Sequence, residues 1–121
     1  MLLKDFYSVE SSKEEGGKWI THIKINKDHQ VYDGHFPNRP VTPGVILIQL
    51  FKEDAERRLE KSLQLKNANN IKFMAVVDPK IHDELFLEYH FEDINQEIRL
   101  KGIAKTNEGI SLKINAVYKL I

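Results

Sequence analysis

The chain has 121 residues, no cysteine, and 18 Lys plus Arg against 18 Asp plus Glu. That charge balance argues against a nucleic-acid binder working through a bulk positive field, and the lack of thiols rules out disulfides, thiolate nucleophiles and Cys-ligated metals. No apolar run approaches the roughly 20 residues that span a bilayer, and the first six residues lack a signal peptide's apolar stretch. A cytoplasmic protein without membrane insertion is therefore expected, folded as a single domain over 1–121 whose small core would gain from oligomerisation.

Glu14-Glu15-Gly16-Gly17 reads as a hairpin loop. After it, Trp19, Thr21, Ile23 and Ile25 share one face of an alternating segment, the pattern of a half-buried strand, with residues 6–10 as its expected partner. Residues 33–44 hold three of the four prolines, and proline restricts both itself and the residue before it, so an ordered loop is predicted. Thr42-Pro43 resembles an N-cap with proline at the first helical position. A helix over 43–61 follows. Its first half, Val45-Ile46-Leu47-Ile48, is apolar all round, which predicts burial on all sides. Its second half keeps a stripe of Ile48, Phe51, Ala55 and Leu59, as if the helix starts inside the protein and emerges at its C-terminal end. Four strands are predicted after it, over 71–77, 84–91, 97–106 and 110–120, with Asn107-Glu108-Gly109 as a hairpin turn. The helix must cover the apolar face of that meander.

The chemistry is concentrated in Gly34 to Gly44. His35 stands in a rigid loop nine residues before Gly44, which opens the helix. Histidine is the side chain best suited to proton transfer near neutral pH. A helix N-terminus offers unpaired N–H groups and partial positive charge, and glycine lets a ligand carbonyl approach the backbone. A base beside such a donor is the minimum equipment for removing a proton next to a thioester carbonyl. Taken alone, a single histidine in a Pro-rich turn is more often structural than catalytic.

The wider pattern His35-Phe36-Pro37-x-x-Pro40-x-x-Pro43-Gly44-Val45 resembles the active-site signature of the 3-hydroxyacyl-ACP dehydratases of the FabZ and FabA type. This resemblance implies an α+β hot-dog fold, an antiparallel sheet wrapped around one long helix. It implies a lyase that dehydrates a 3-hydroxyacyl thioester to a trans-2-enoyl thioester without cofactor or metal. The substrate would be carried on phosphopantetheine of an acyl carrier protein, in lipid or polyene biosynthesis. The active form would be a homodimer or a dimer-based oligomer. On the same footing, His35 is the base at the α-carbon and the Gly44 N–H polarises the thioester carbonyl. The Val41 carbonyl accepts a bond from the imidazole, Phe36 and Pro37 shape the loop, and Val45 completes the substrate-binding set. Phe36, Ile46, Leu50 and Phe73 would line an acyl tunnel. Arg39, Arg57, Arg58 and Lys61 would meet an acidic carrier.

The chain departs from that pattern on the helix. The family has a Glu or Asp fourteen residues after the histidine, supplied by the other subunit, and glutamine one turn later. Here the order is Gln49-x-x-x-Glu53. Glutamine cannot donate a carboxylic-acid proton. Positions i and i+4 share a helix face, so the acid stands one turn away, roughly 5–6 Å. Three readings stay open. Glu53 replaces the missing acid; or the chain only binds an acyl group or its carrier; or Glu53 is a surface residue paired with Arg57, with Asp54 paired to Arg58. A hot-dog thioesterase is a further alternative. His22, His29, His82 and His90 lack the spacing of a zinc site, and His29 is expected to be structural.

Overall fold

The computed structural model describes residues 3, 5–33 and 41–121. Six strands form one antiparallel sheet, β1 (Tyr7–Glu15), β2 (Lys18–Ile25), β3 (Leu63–Phe73), β4 (Glu84–Ile94), β5 (Glu97–Thr106) and β6 (Gly109–Leu120). They lie in the order β1-β2-β4-β5-β6-β3. Between β2 and β3 the described residues hold a 3-10 turn (Gln30–Tyr32) and the helix α1 (Gly44–Leu59), which packs on the sheet.

The period-two alternation decides which side chains meet the helix. Thr21, Ile23 and Ile25 of β2, Leu85, Leu87 and Tyr89 of β4, Leu100 and Ala104 of β5, and Leu112, Ile114, Ala116 and Tyr118 of β6 are all buried. They meet Leu47, Leu50, Phe51 and Ala55 of α1. Each large side chain fully buried there contributes about 1.5–3 kcal/mol. Gly102 lets the layers approach: a Cβ at that position would stand 2.6 Å from the Tyr89 Cβ and 2.7 Å from the Glu88 carbonyl oxygen, with Phe51 of α1 at 3.1 Å. The hairpins follow turn chemistry. Gly16 and Gly17 both have positive φ, 62° and 79°, as a two-residue loop matched to the strand twist requires.

Two expectations are corrected. The strand predicted over 71–77 runs over Leu63–Phe73 instead. As an edge strand it pairs only with β6 and is exposed along most of its length, so Gln64 to Asn70 carry none of the apolar alternation that marks a covered strand. The helix is also oriented differently from its hydropathy. Val45 in its apolar first turn is 72% exposed, whereas Glu53 and Asp54 in its polar half are 1% and 2% exposed.

Burial pushes the Tyr118 hydroxyl up to about 12, with the Glu56 charge adding to it. Burial likewise raises Tyr7 to about 12, a rise that bonding to Arg57 opposes and the Glu53 carboxylate reinforces. The folded chain therefore keeps protons that unfolded phenols release near about 10. Their stabilisation is present below about pH 10 and is lost as pH rises toward 12. The urea midpoint is expected to fall steeply over that interval, and the fall should shrink in Tyr118→Phe.

Candidate active site

The N-terminus of α1 is reached through a short extended segment. The Thr42 N–H donates to the Val77 carbonyl at 2.9 Å, so the chain entering the helix is tied to the loop that follows β3. Thr42 does not cap the helix as its sequence suggests. Its hydroxyl is hydrogen-bonded to the Tyr32 hydroxyl at 2.8 Å, and Pro43 takes the cap position with no side-chain cap bond. The first helical bonds are donated by Ile46 and Leu47 to the Pro43 carbonyl, at 3.0 and 3.4 Å. The Gly44 N–H lies before them, in the first turn, where amides have no acceptor within the helix.

A cleft of about 440 Å³ opens at this point, walled by Val41, Gly44 and Leu47 on one side and by Phe73, Met74 and Val76 on the other. Its size suits a ligand. Gly44 fits tightly there. A Cβ would lie 2.5 Å from the Phe73 ring, so a larger residue here would have to displace that half-exposed ring from the cleft. Of the expected tunnel residues, Phe73 lines the cleft, Leu50 belongs to the core and Ile46 packs against that core. His35, Phe36, Pro37 and Arg39 lie outside the described residues. Val41 is half-buried in the cleft wall, whereas Val45 points to solvent.

Further along α1, Gln49 and Glu53 are joined directly. The Gln49 side-chain amide donates to Glu53 Oε2 at 3.1 Å. The Leu3 N–H donates to the same oxygen at 3.1 Å, and the Tyr7 hydroxyl donates to Oε1 at 2.9 Å. Arg57 in turn donates to the Tyr7 hydroxyl at 2.6 Å. Glu53 is thus a buried acceptor held by Leu3 and by Tyr7 of β1, not the expected surface residue, while the expected pair of Asp54 with Arg58 is present. Its ties to Leu3 and Tyr7 span about fifty residues of chain, and no spacing rule in the sequence reaches that far.

Asp54 carries a second internal network. It accepts from Thr21 Oγ1 at 2.8 Å, Arg57 at 2.9 Å, Arg58 at 3.2 Å and the Tyr89 hydroxyl. Burial, and then the Asp54 charge, push the Tyr89 hydroxyl well above the ordinary phenol range. The Arg58 guanidinium also lies 4.0 Å above the Trp19 ring and is 13% exposed, which turns it inward rather than toward a carrier. His29 accepts the Val31 N–H at 3.0 Å and stacks edge-on to Phe6, the structural role expected of it.

Residues 10–111 match the ApeI-like family, described as ApeI dehydratase. The FabZ 3-hydroxyacyl-[acyl-carrier-protein] dehydratase of Caldanaerobacter subterraneus is 26% identical over 113 residues, 87% of this chain and 79% of that one. The FabZ of Buchnera aphidicola is 31% identical over 107 residues, 82% of this chain and 70% of its own. Among solved structures, the dehydratase heterocomplex ApeI:P from Xenorhabdus doucetiae superimposes with a TM-score of 0.75 at 14% identity, covering 93% of this chain and 96% of that one. The helix-on-sheet arrangement is thus the expected hot-dog fold, and the chain belongs to the ApeI-like, FabZ-related family of dehydratases.

Proposed function

We propose that the chain dehydrates a 3-hydroxyacyl thioester, carried on an acyl carrier protein, to the trans-2-enoyl thioester. The observation that carries this is the first turn of α1 at Gly44, which lines a cleft and follows the His35 segment in the sequence. In this reading the thioester carbonyl accepts the Gly44 N–H, and the helix N-terminus stabilises the enolate oxygen as charge develops. The His35 imidazole takes the α-proton. The C–O bond to the β-hydroxyl breaks, the proton returns from the imidazolium to that oxygen, and water leaves.

The bonding around Glu53 supports a particular role for Gln49. A carboxylate only accepts, so the amide NH₂ of Gln49 must face Glu53 and its carbonyl oxygen faces the other way. Gln49 then accepts from the β-hydroxyl and orients it, and Glu53 is a positioning residue. This favours His35 as the sole proton carrier over an acid relocated to Glu53. Gln49→Glu places a second carboxyl against Glu53; two carboxylates so close share a proton, which raises the pair's titration toward neutral pH. About tenfold faster turnover is expected, with a new alkaline limb in the pH–rate profile. Glu53→Gln lets the Gln49 amide turn over and present its NH₂, and kcat/KM should drop about tenfold. If Glu53→Gln is silent, the positioning role is wrong.

The likeness to a structure described as a heterocomplex favours a second reading, in which a non-identical hot-dog partner supplies the acid that Gln49 is not. Incubating the purified chain with carrier-bound 3-hydroxyacyl and crotonyl-type thioesters separates the readings. Interconversion of hydroxyacyl and enoyl forms by the chain alone is the expected result. Thiol release points to a thioesterase, and binding without turnover points to a module that needs a partner or only carries.

A further inference from the structure

The face of the sheet turned away from α1 carries a second cleft, of about 460 Å³. Because Tyr89, Leu100 and Leu112 face the helix, their neighbours His90, Lys101 and Lys113 face outward. The pairing register fixes their spacing. Lys72 of β3 stands directly opposite Lys113 of β6, and Lys113 opposite Ile103 of β5, two residues from Lys101. Directly opposite side chains have Cβ atoms about 4.5–5.5 Å apart and diagonal ones about 7–8 Å, and like charges so placed are destabilising.

One carboxylate reaches this cleft, and it is already engaged. Glu88 is 7% exposed and bonds Lys18 at 2.9 Å and also Lys105. Burial alone would raise its titration, but the bonds from Lys105 and Lys18 outweigh it and hold the carboxyl below the usual range. Among the described residues no carboxylate stands within ion-pair distance of Lys72, Lys101 or Lys113, although five other lysines of the chain have such partners. The cleft lining thus holds Lys72, Lys101 and Lys113 with Glu88 as its one carboxylate, already bonded to Lys18 and Lys105.

We propose that this cleft binds a phosphorylated small molecule, with Lys72, Lys101 and Lys113 as its cationic contacts. Three ammonium groups at one-strand and diagonal spacing bracket a group with several charged oxygens. A phosphate offers three acceptors and about −1.5 to −2 charge near pH 7. The half-buried Ile103 beside them gives the organic part an apolar contact. The volume of this open cleft is within the range of small-ligand sites. The sheet lies between this cleft and α1, so the inference stands apart from the thioester reading.

Calorimetric and amide-NMR titration of the full chain with inorganic pyrophosphate, at ionic strength matched with potassium chloride, tests it. Saturable binding is expected, with shifts at Lys101, Ile103 and Lys113. Lys101→Gln and Lys113→Gln should each weaken it about tenfold, the usual effect of losing one charged hydrogen bond. Lys13→Gln, whose lysine pairs with Glu15 in β1, should leave it unchanged. Without pyrophosphate, Lys113→Gln should melt at a slightly higher temperature because the repulsion with Lys72 is gone. The proposal is overturned if pyrophosphate gives no saturable signal beyond that of chloride, or if both variants bind it as well as the parent does. Binding of poly-glutamate but not of pyrophosphate would overturn it equally.

Discussion

His35→Ala is expected to lower kcat/KM for a 3-hydroxyacyl thioester by about 10³-fold, measured on a variant shown by circular dichroism to be folded. General-base catalysis by a placed side chain is worth about 10²–10⁴ in rate. In the proposed mechanism one imidazole serves both the α-proton and the departing hydroxyl, which places the loss toward the upper part of that range. The helix N-terminus that would receive the thioester carbonyl is held in the described residues by the Thr42 N–H to Val77 and by the Tyr32 and Thr42 hydroxyls. A second measurement separates proton abstraction from binding. The parent should exchange the α-proton of a saturated acyl thioester with deuterated solvent, and the variant should not. Because the Gly44 N–H remains, KM should change far less than kcat. Full turnover by His35→Ala would eliminate this chemistry and move the chain toward the binding reading.

The His35 motif and β3 mark the range of what local sequence signals carry. The motif was legible because proline and glycine spacing is a local signal, and so were β4, β5 and β6, each covered on one face and therefore alternating. β3 was legible only at its end, since an edge strand exposed along most of its length has no apolar face to write into its sequence. The helix was misjudged for a related reason. Hydropathy counts Glu53 and Asp54 as surface residues, yet both are buried because donors from Leu3, Tyr7, Thr21 and Tyr89 converge on them. Burial of a charge depends on partners that only the fold assembles. The Thr42 cap failed similarly, because Tyr32 competes for its hydroxyl.

Asp54→Ala is expected to destabilise the fold by about 3–5 kcal/mol, the usual result of breaking a buried ion pair from one side. The carboxylate is the shared acceptor of Thr21 on β2, Tyr89 on β4, and Arg57 and Arg58 on α1. Its removal leaves the Arg58 guanidinium with Ser12, Trp19, Thr21 and Tyr89, none of which neutralises it. For a domain of this size that corresponds to a melting temperature roughly 10–20 °C lower. Asp54→Asn keeps the volume but brings an NH₂ among donors, so it should recover little. Asp54→Leu combined with Arg58→Met removes both charges together and should recover much of the loss, since replacing a whole buried pair by apolar groups is often neutral. Urea unfolding of the three variants distinguishes these outcomes, and a cost below about 1 kcal/mol for Asp54→Ala would show that the network is incidental. The functional consequence follows from position. Asp54 ties the C-terminal half of α1 to β2 and β4, while Gly44 sits at the other end of the same rigid helix. Loosening the anchor lets that N-terminus shift against Phe73. Turnover in Asp54→Asn should therefore fall at temperatures where the variant is still folded, through kcat more than through KM.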